Sequence, residues 1–209
     1  MKIVSYLVVF FTVVSCTNAQ TKKLPLEPKN GQAVAVFAEG CFWCSEHVFE
    51  AVVGVNKVIS GYSGGTLKNP SYEQVGSNTT GHAEAIAVFY DPKVISFKEL
   101  VTVFFASQDP TTPNQQGPDR GSSYRSIAFY KNAAEKKIIE DKIKELTVKK
   151  VFANPIVTEV KPVTDFYEAE AYHQDYVKNN PNQPYVKGVS VPRYNKFKTT
   201  YKGKLKSNN

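Results

Sequence analysis

Glycine and proline are scarce, 12 of each in 209 residues, which excludes a collagen-like or low-complexity chain. No apolar run reaches the ~20 residues that a membrane-spanning helix needs. Histidine and cysteine number three each, and no second Cys-x-x-Cys follows the one at Cys41–Cys44. The histidines His47, His82 and His173 form no paired ligand motif, so no metal is expected. Acidic residues stop at Asp175, while eight Lys and Arg lie beyond it. The net charge of +7 is therefore local, because residues 1–175 sum to −1. Residues 181–209 read as a solvated basic tail, in preference to a polyanion-binding arm. What the chain does have is 42% hydrophobic residues, with 13 Phe and 12 Tyr, enough for a sizeable core in one large domain.

The first 15 residues carry one cation, Lys2, and then the apolar stretch Ile3–Ser15, the pattern of a signal peptide. Two processing sites compete. Val13-Val14-Ser15-Cys16 resembles the bacterial lipobox, with Cys16 lipidated, and Thr17-Asn18-Ala19 before Gln20 suits ordinary signal peptidase. A cysteine ending an apolar run in an oxidising compartment has no evident partner but a lipid, so the lipoprotein reading is preferred. The expectation is an exported protein of a bacterial cell envelope, anchored through Cys16 and facing the periplasm as a monomer. Residues 16–31 read as a linker, and residues 32–180 as the catalytic domain.

Patterning in that domain predicts a buried strand at Ala33–Ala38, a helix at Phe42–Val53 and a strand at Val55–Tyr62. A strand follows at Ala83–Tyr90, then a helix at Phe97–Ser107 with Ser96 and Glu99 as a capping box. Tyr124–Tyr130 and Ile156–Val163 read as strands, Ala133–Val148 as an amphipathic helix and Asp165–Val177 as a last helix. The order gives an α+β class, a two-layer sandwich with a ferredoxin-like split βαβ core and a mixed sheet flanked by helices.

Two features carry chemistry. Cys41, in Gly40-Cys41-Phe42-Trp43-Cys44, falls where the first strand meets the first helix, beside unpaired N–H groups and the positive end of the helix dipole, which favours a thiolate. Cys44 lies one turn on and can reach it. Buried structural thiols, a zinc site and a structural disulfide are the alternatives, the last weakened because a two-residue loop constrains the unfolded chain little. Glu84 shares a strand face with Ile86 and Val88, and a desolvated carboxyl there would hold its proton near neutrality. A strand-end Glu84 turned to solvent fits the strand position equally well.

The segments Gly40-Cys41-Phe42-Trp43-Cys44, Gly61-Tyr62-Ser63-Gly64-Gly65, Asn69-Pro70-Ser71-Tyr72, Gly81-His82-Ala83-Glu84-Ala85, Tyr90-Asp91-Pro92 and Asp119–Ser126 together resemble peptide methionine sulfoxide reductase A, from about Ala33 to Tyr176. The resemblance implies reduction of the S epimer of methionine sulfoxide, free or in proteins; each type of these reductases takes one epimer. It also implies Cys41 as the catalytic cysteine and Phe42 with Trp43 as the pocket for the substrate methyl group. Glu84, Tyr72 and Tyr124 would surround the sulfoxide oxygen, and Asp119 would help organise the site. The cysteine left as a sulfenic acid would condense with Cys44, and an external dithiol such as a thioredoxin-like protein would reduce the disulfide without any bound cofactor.

The chain departs from that pattern at Cys44, where many relatives carry Gly and recycle through C-terminal cysteines; none follows Tyr176 here. Ser123 stands where Gln is more usual. Two other functions compete, a general thiol–disulfide oxidoreductase of the cell envelope using Cys41 and Cys44, and a non-enzymatic lipoprotein binding a polyanion through its tail.

Overall fold

The structure, a computed structural model, describes residues 21–27 and 31–207. The signal peptide, Cys16 and Ala19 lie outside the described residues. Six elements make the centre: β2 (Ala33–Glu39), α1 (Phe42–Glu50), β3 (Val55–Ser63), β4 (Ala83–Tyr90), α3 (Phe97–Ala106) and β7 (Ser126–Tyr130), with β1 (Lys22–Lys23), α2 (Tyr72–Gly76) and the hairpin β5 (Gln115–Gln116)–β6 (Asp119–Arg120) around them. Their spatial order is β3-β4-β2-β7, every neighbouring pair antiparallel. This is the split βαβ arrangement: α1 carries the chain from β2 across to β3 with β4 between them, and α3 carries it from β4 to β7 with β2 between. The sheet extends on one side through β8 (Glu159–Pro162), parallel to β7, and on the other through β9 (Phe166–Glu168) and β1.

Strand alternation sorts the core. Ala35 and Phe37 of β2 and Ile86 and Val88 of β4 point to the face that α1, α3 and α4 (Ala133–Val148) cover. Val34, Val36, Ala85 and Ala87 point to the other face, closed by Leu24, Leu26 and Phe166. The helix starts follow local chemistry. Ser96 Oγ accepts from Glu99 N–H at 3.2 Å while Glu99 Oε2 accepts from Ser96 N–H at 3.0 Å, so the expected capping box is present. The same box, Ser71 with Gln74, starts the short α2.

Three expectations are corrected. Asp165–Val177 is not one helix: it divides into β9, a 3₁₀ turn at Ala171–His173 and, after it, the short α5 (Tyr176–Asn179). Phe166 and Tyr167 pair onto β3 instead, and Gly61 lets that backbone close in, since a Cβ there would lie 2.2 Å from the Tyr167 carbonyl oxygen. The described part of the linker is also packed, because Lys22 and Lys23 extend the sheet edge and Thr21 Oγ donates to the Pro70 carbonyl at 2.7 Å.

Residues 181–207, finally, are no solvated tail. A wide helical turn at Val186–Ser190 runs into α6 (Val191–Thr200), burying Val186, Ser190, Tyr194 and Phe197, and Leu205 bridges to Val52. The lysines stay on the outer face; the buried residues repeat at helical spacing within the charge run, and burial of that stripe outweighs the repulsion between exposed, solvated charges.

Candidate active site

The sheet delivers Glu84 and the helix delivers Cys41 to one point. Glu39 ends β2, Gly40 takes φ +86°, and Cys41 becomes the N-cap of α1 without a side-chain capping bond. A Cβ on Gly40 would lie 2.4 Å from Gln116, so this turn needs glycine twice over. The missing cap comes from the sheet: Phe42 N–H donates to Glu84 Oε2 at 3.0 Å. Glu84, 3% exposed, lies on the helix-facing side of β4, so the strand-end alternative is set aside. Burial, with the charges of Asp119 and Cys44, raises its carboxyl to about 8 against the pull of the Phe42 N–H.

The two cysteines are free, buried thiols at the start of α1. The expectation of an acidic Cys41 is not met in this resting site. Burial raises its thiol well above 9, and the bond to Cys44 and the nearby Glu84 add to this. Cys44 is lowered to about 6, first by the hydrogen bond it receives from Cys41, then by Arg193 and by Ser190, whose Oγ lies 3.1 Å from its sulfur. Desolvation thus raises the Cys41 thiol against the pull of the helix N-terminus, while Arg193 and Ser190 favour the thiolate at Cys44.

Aromatic rings wall the site. Phe42 is buried against Tyr62, Tyr72 and His173 with ring centroids 5.8, 6.3 and 4.9 Å away. Trp43 is half-buried, stacks on Tyr176 at 3.7 Å and donates its Nε1–H to His173 Nδ1 at 3.1 Å. Tyr72 opens α2, and its N–H donates to Glu170 Oε1 at 3.0 Å, while Tyr62 Oη donates to Glu170 Oε2 at 2.8 Å. Tyr124 ends a 3₁₀ turn pinned by Asn78, whose Oδ1 accepts from Ser123 N–H at 2.9 Å, and by Arg125, which donates to the Gly81 carbonyl at 2.8 Å. Burial and the Glu84 charge push both phenols up, Tyr72 to about 12, so both are donors at neutral pH.

The structure thus brings together Cys41, Cys44, Glu84, Tyr72, Tyr124, Phe42, Trp43 and Asp119; of the residues singled out, only Cys16 lies outside the described part. His82 holds the turn beside β4, with Nδ1 accepting from Gly65 N–H at 3.1 Å and Nε2 facing the Leu67 carbonyl at 2.8 Å.

Four residues were not anticipated. Tyr185 Oη donates to Asp119 Oδ2 at 2.5 Å, and Ser190 Oγ lies 3.1 Å from the Cys44 sulfur. Arg193 pairs with Glu39 at 2.8 Å and donates to the Ser107 carbonyl at 2.7 Å, behind Cys44. Glu39, wholly buried, is raised by that burial to about 7, though Arg193 and Ser107 pull it down. A signal existed, since Val186, Ser190, Tyr194 and Phe197 recur at spacings of four, four and three, but the lysines and Pro192 among them hid it.

Comparison with known proteins adds three kinds of likeness. A family model described as peptide methionine sulfoxide reductase matches residues 33–205. The chain is 46% identical over 181 residues to peptide methionine sulfoxide reductase MsrA 1 of Rhodopirellula baltica, covering 87% of this chain and 93% of that one. Reduced Mxr1 of Saccharomyces cerevisiae has a similar structure, with TM-score 0.69 and 35% identity over 78% of this chain and 91% of that one. Mxr1 in complex with Trx2 is also similar, with TM-score 0.51 and 27% identity over 73% of this chain and 89% of that one.

Proposed function

This chain belongs to the peptide methionine sulfoxide reductase family, and on that footing we propose that it reduces the S epimer of methionine sulfoxide, free or in oxidised proteins, through Cys41, with Cys44 resolving the intermediate. The observation that carries this reading is the Glu84 contact. A buried carboxyl that stays protonated to about pH 8 sits on the N–H next to the cysteine, in a wall of aromatic rings.

A sulfoxide sulfur accepts a nucleophile only when its oxygen is protonated or strongly hydrogen-bonded. Glu84, with Tyr72 and Tyr124 beside it, supplies that proton and those bonds. Cys41 hands its own proton to the Cys44 thiolate as its sulfur takes the oxygen, and methionine leaves from the wall of Phe42 and Trp43. Cys41 is then a sulfenic acid; the Cys44 sulfur attacks it, the S–O bond breaks, and the hydroxyl leaves as water with the Cys44 proton, giving the Cys41–Cys44 disulfide. Two electrons from an external dithiol restore both thiols, and the likeness to Mxr1 in complex with Trx2 supports a thioredoxin-like donor. A general disulfide shuttle would have no use for Glu84 or the phenols, and its cysteines would not be 6% and 1% exposed.

The first 20 residues support export to a bacterial envelope with a lipid on Cys16, in preference to cleavage after Ala19; the mass of the native N-terminus distinguishes the two. The activity is tested by anaerobic incubation with excess dithiol and the separated epimers of a methyl sulfoxide. Methionine should form from the S epimer alone, and its absence would sink the reading.

A further inference from the structure

One carboxylate connects the rings that pack around Phe42. Glu170 lies between β9 and the 3₁₀ turn Ala171–His173, with its side chain 8% exposed. Its Oε1 accepts from Tyr72 N–H at 3.0 Å and its Oε2 from Tyr62 Oη at 2.8 Å. His173 Nε2 stands 3.8 Å from the same Oε2 and has no hydrogen-bond partner among the described residues. Tyr62, Tyr72 and His173 are three of the rings against Phe42, and a fourth, Trp43, is held by His173.

The direction of these bonds is fixed by their donors. An indole Nε1–H can only donate, so His173 Nδ1 accepts from Trp43 at 3.1 Å. Burial lowers the imidazole to about 4 against the Glu170 charge, so at neutral pH His173 carries one proton, on Nε2. That is the nitrogen 3.8 Å from Glu170 Oε2, where a negative oxygen favours the proton. Stacking on Tyr176 at 3.7 Å, with the planes 7° apart, fixes the tilt of the indole but lets it slide in its own plane. The bond to His173 removes that freedom.

We propose that Glu170 is a positioning residue for the pocket that takes the methyl group of the sulfoxide. It holds Tyr72 directly and Trp43 through the tautomer of His173, and so sets the preference for methyl over longer S-alkyl groups. The proposal rests on the reading above, in which Phe42 and Trp43 form that pocket. The hydrogen bonds that Glu170 accepts come from Tyr72 and Tyr62, not from Cys41, Cys44 or Glu84, so its effect falls on substrate binding.

Glu170→Gln keeps the shape and turns one acceptor into a donor. The backbone N–H of Tyr72 can only donate, so the amide oxygen stays with it and the NH2 takes the place of Oε2 beside His173. His173 must then accept at Nε2, which moves its proton to Nδ1, against the indole N–H. Trp43 is the only tryptophan, so the single indole N–H signal in a proton–nitrogen NMR spectrum reports on this bond. In the full-length variant that signal should move and exchange with solvent about tenfold faster. In first-turnover reactions the half-saturating concentration of the S epimer of methionine sulfoxide should rise about tenfold, with the saturating rate within about threefold. Preference for this substrate over its S-ethyl analogue should fall about tenfold. Lower stability alone would reduce the amount of methionine released and leave half-saturation and preference as they were. Glu170→Asp, one methylene shorter but without a donor, should keep the indole signal in place and give intermediate values; it decides the matter if the amide variant does not fold. An unmoved indole signal in Glu170→Gln, wild-type half-saturation and preference in the folded variant, or a loss confined to the saturating rate overturns the proposal and leaves the catalytic reading intact. No methionine from the wild-type chain overturns both.

Discussion

Residues 33–90 and residues 181–207 build one site by different physics. In the first region, strand alternation, a glycine turn and a capped helix place Cys41 and Glu84, with sheet pairing fixing their register. In the second, no element has a sheet neighbour beyond the single Leu205–Val52 bridge. The segment is held by the apolar stripe ending at Phe197 and by polar contacts spanning long stretches of chain, Arg193 to Glu39 across 154 residues and Ser190 to Cys44 across 146. The first region supplies the nucleophile and acid, and the second sets Arg193 and Ser190 near Cys44, where both favour its thiolate. A site can thus be chemically complete in one part of a chain and electrostatically finished by another.

The sharpest way to break this comparison is to stop the chain after Asn180. Losing Phe197 alone is worth about 3–5 kcal/mol, and unpairing the buried Glu39 costs about 3–5 kcal/mol more. Together these approach the ~5–15 kcal/mol of a whole domain. Calorimetry should therefore show no cooperative transition; a melting temperature close to that of the full chain would return the segment to the status of a tail. Next in size, Glu84→Gln should lower the first-turnover rate by about 10²–10⁴-fold with no fall in thermal midpoint, since the amide still accepts the Phe42 N–H and needs no proton to be buried. An equal loss of stability would mean that Glu84 serves only as the cap of α1.

Arg193→Met should destabilise by about 3–5 kcal/mol in urea titration, and adding Glu39→Leu should recover most of it, because the cost lies in the orphaned carboxylate rather than in the missing cation. No recovery in the double variant would place the cost in packing instead. The pH dependence has a defined sign. Glu84 and Glu46 are both raised from 4.5 to about 8 by burial, so the native state holds more protons than the unfolded chain between those values. Their contribution is full below 4.5 and is lost as pH rises through about 8. Sulfoxide reduction should decline over the same upper limb, and Glu84→Gln should flatten that limb. Smallest of all, Tyr185→Phe should cost about 1–3 kcal/mol through the unpaired Asp119 carboxylate, read as a drop in melting temperature, with Cys44 alkylation at pH 7 little altered.

Much of this was legible in the residues. Ala83–Tyr90 and Ala133–Val148 fall where patterning places them, since each is a strongly periodic run with a clear stop. Phe166–Glu168 was not legible: a three-residue strand has too few positions to show a period, and its partner Gly61 lies over a hundred residues away. Tyr185 and Arg193 were hidden for a related reason. Their partners Asp119 and Glu39 are remote, and nothing local distinguishes a cation bound for the interior from the lysines beside it.

By itself the sequence determined the main strand and helix periods of residues 33–148 and the cysteine at a strand-to-helix turn, because these are properties of neighbours. Only the tertiary structure decided that Glu84 is buried, what surrounds the cysteine pair, and that the basic end of the chain carries a buried stripe. Desolvation and Coulomb interaction depend on what surrounds a group in space, and for Cys41, Cys44 and Arg193 most of those surroundings are distant along the chain.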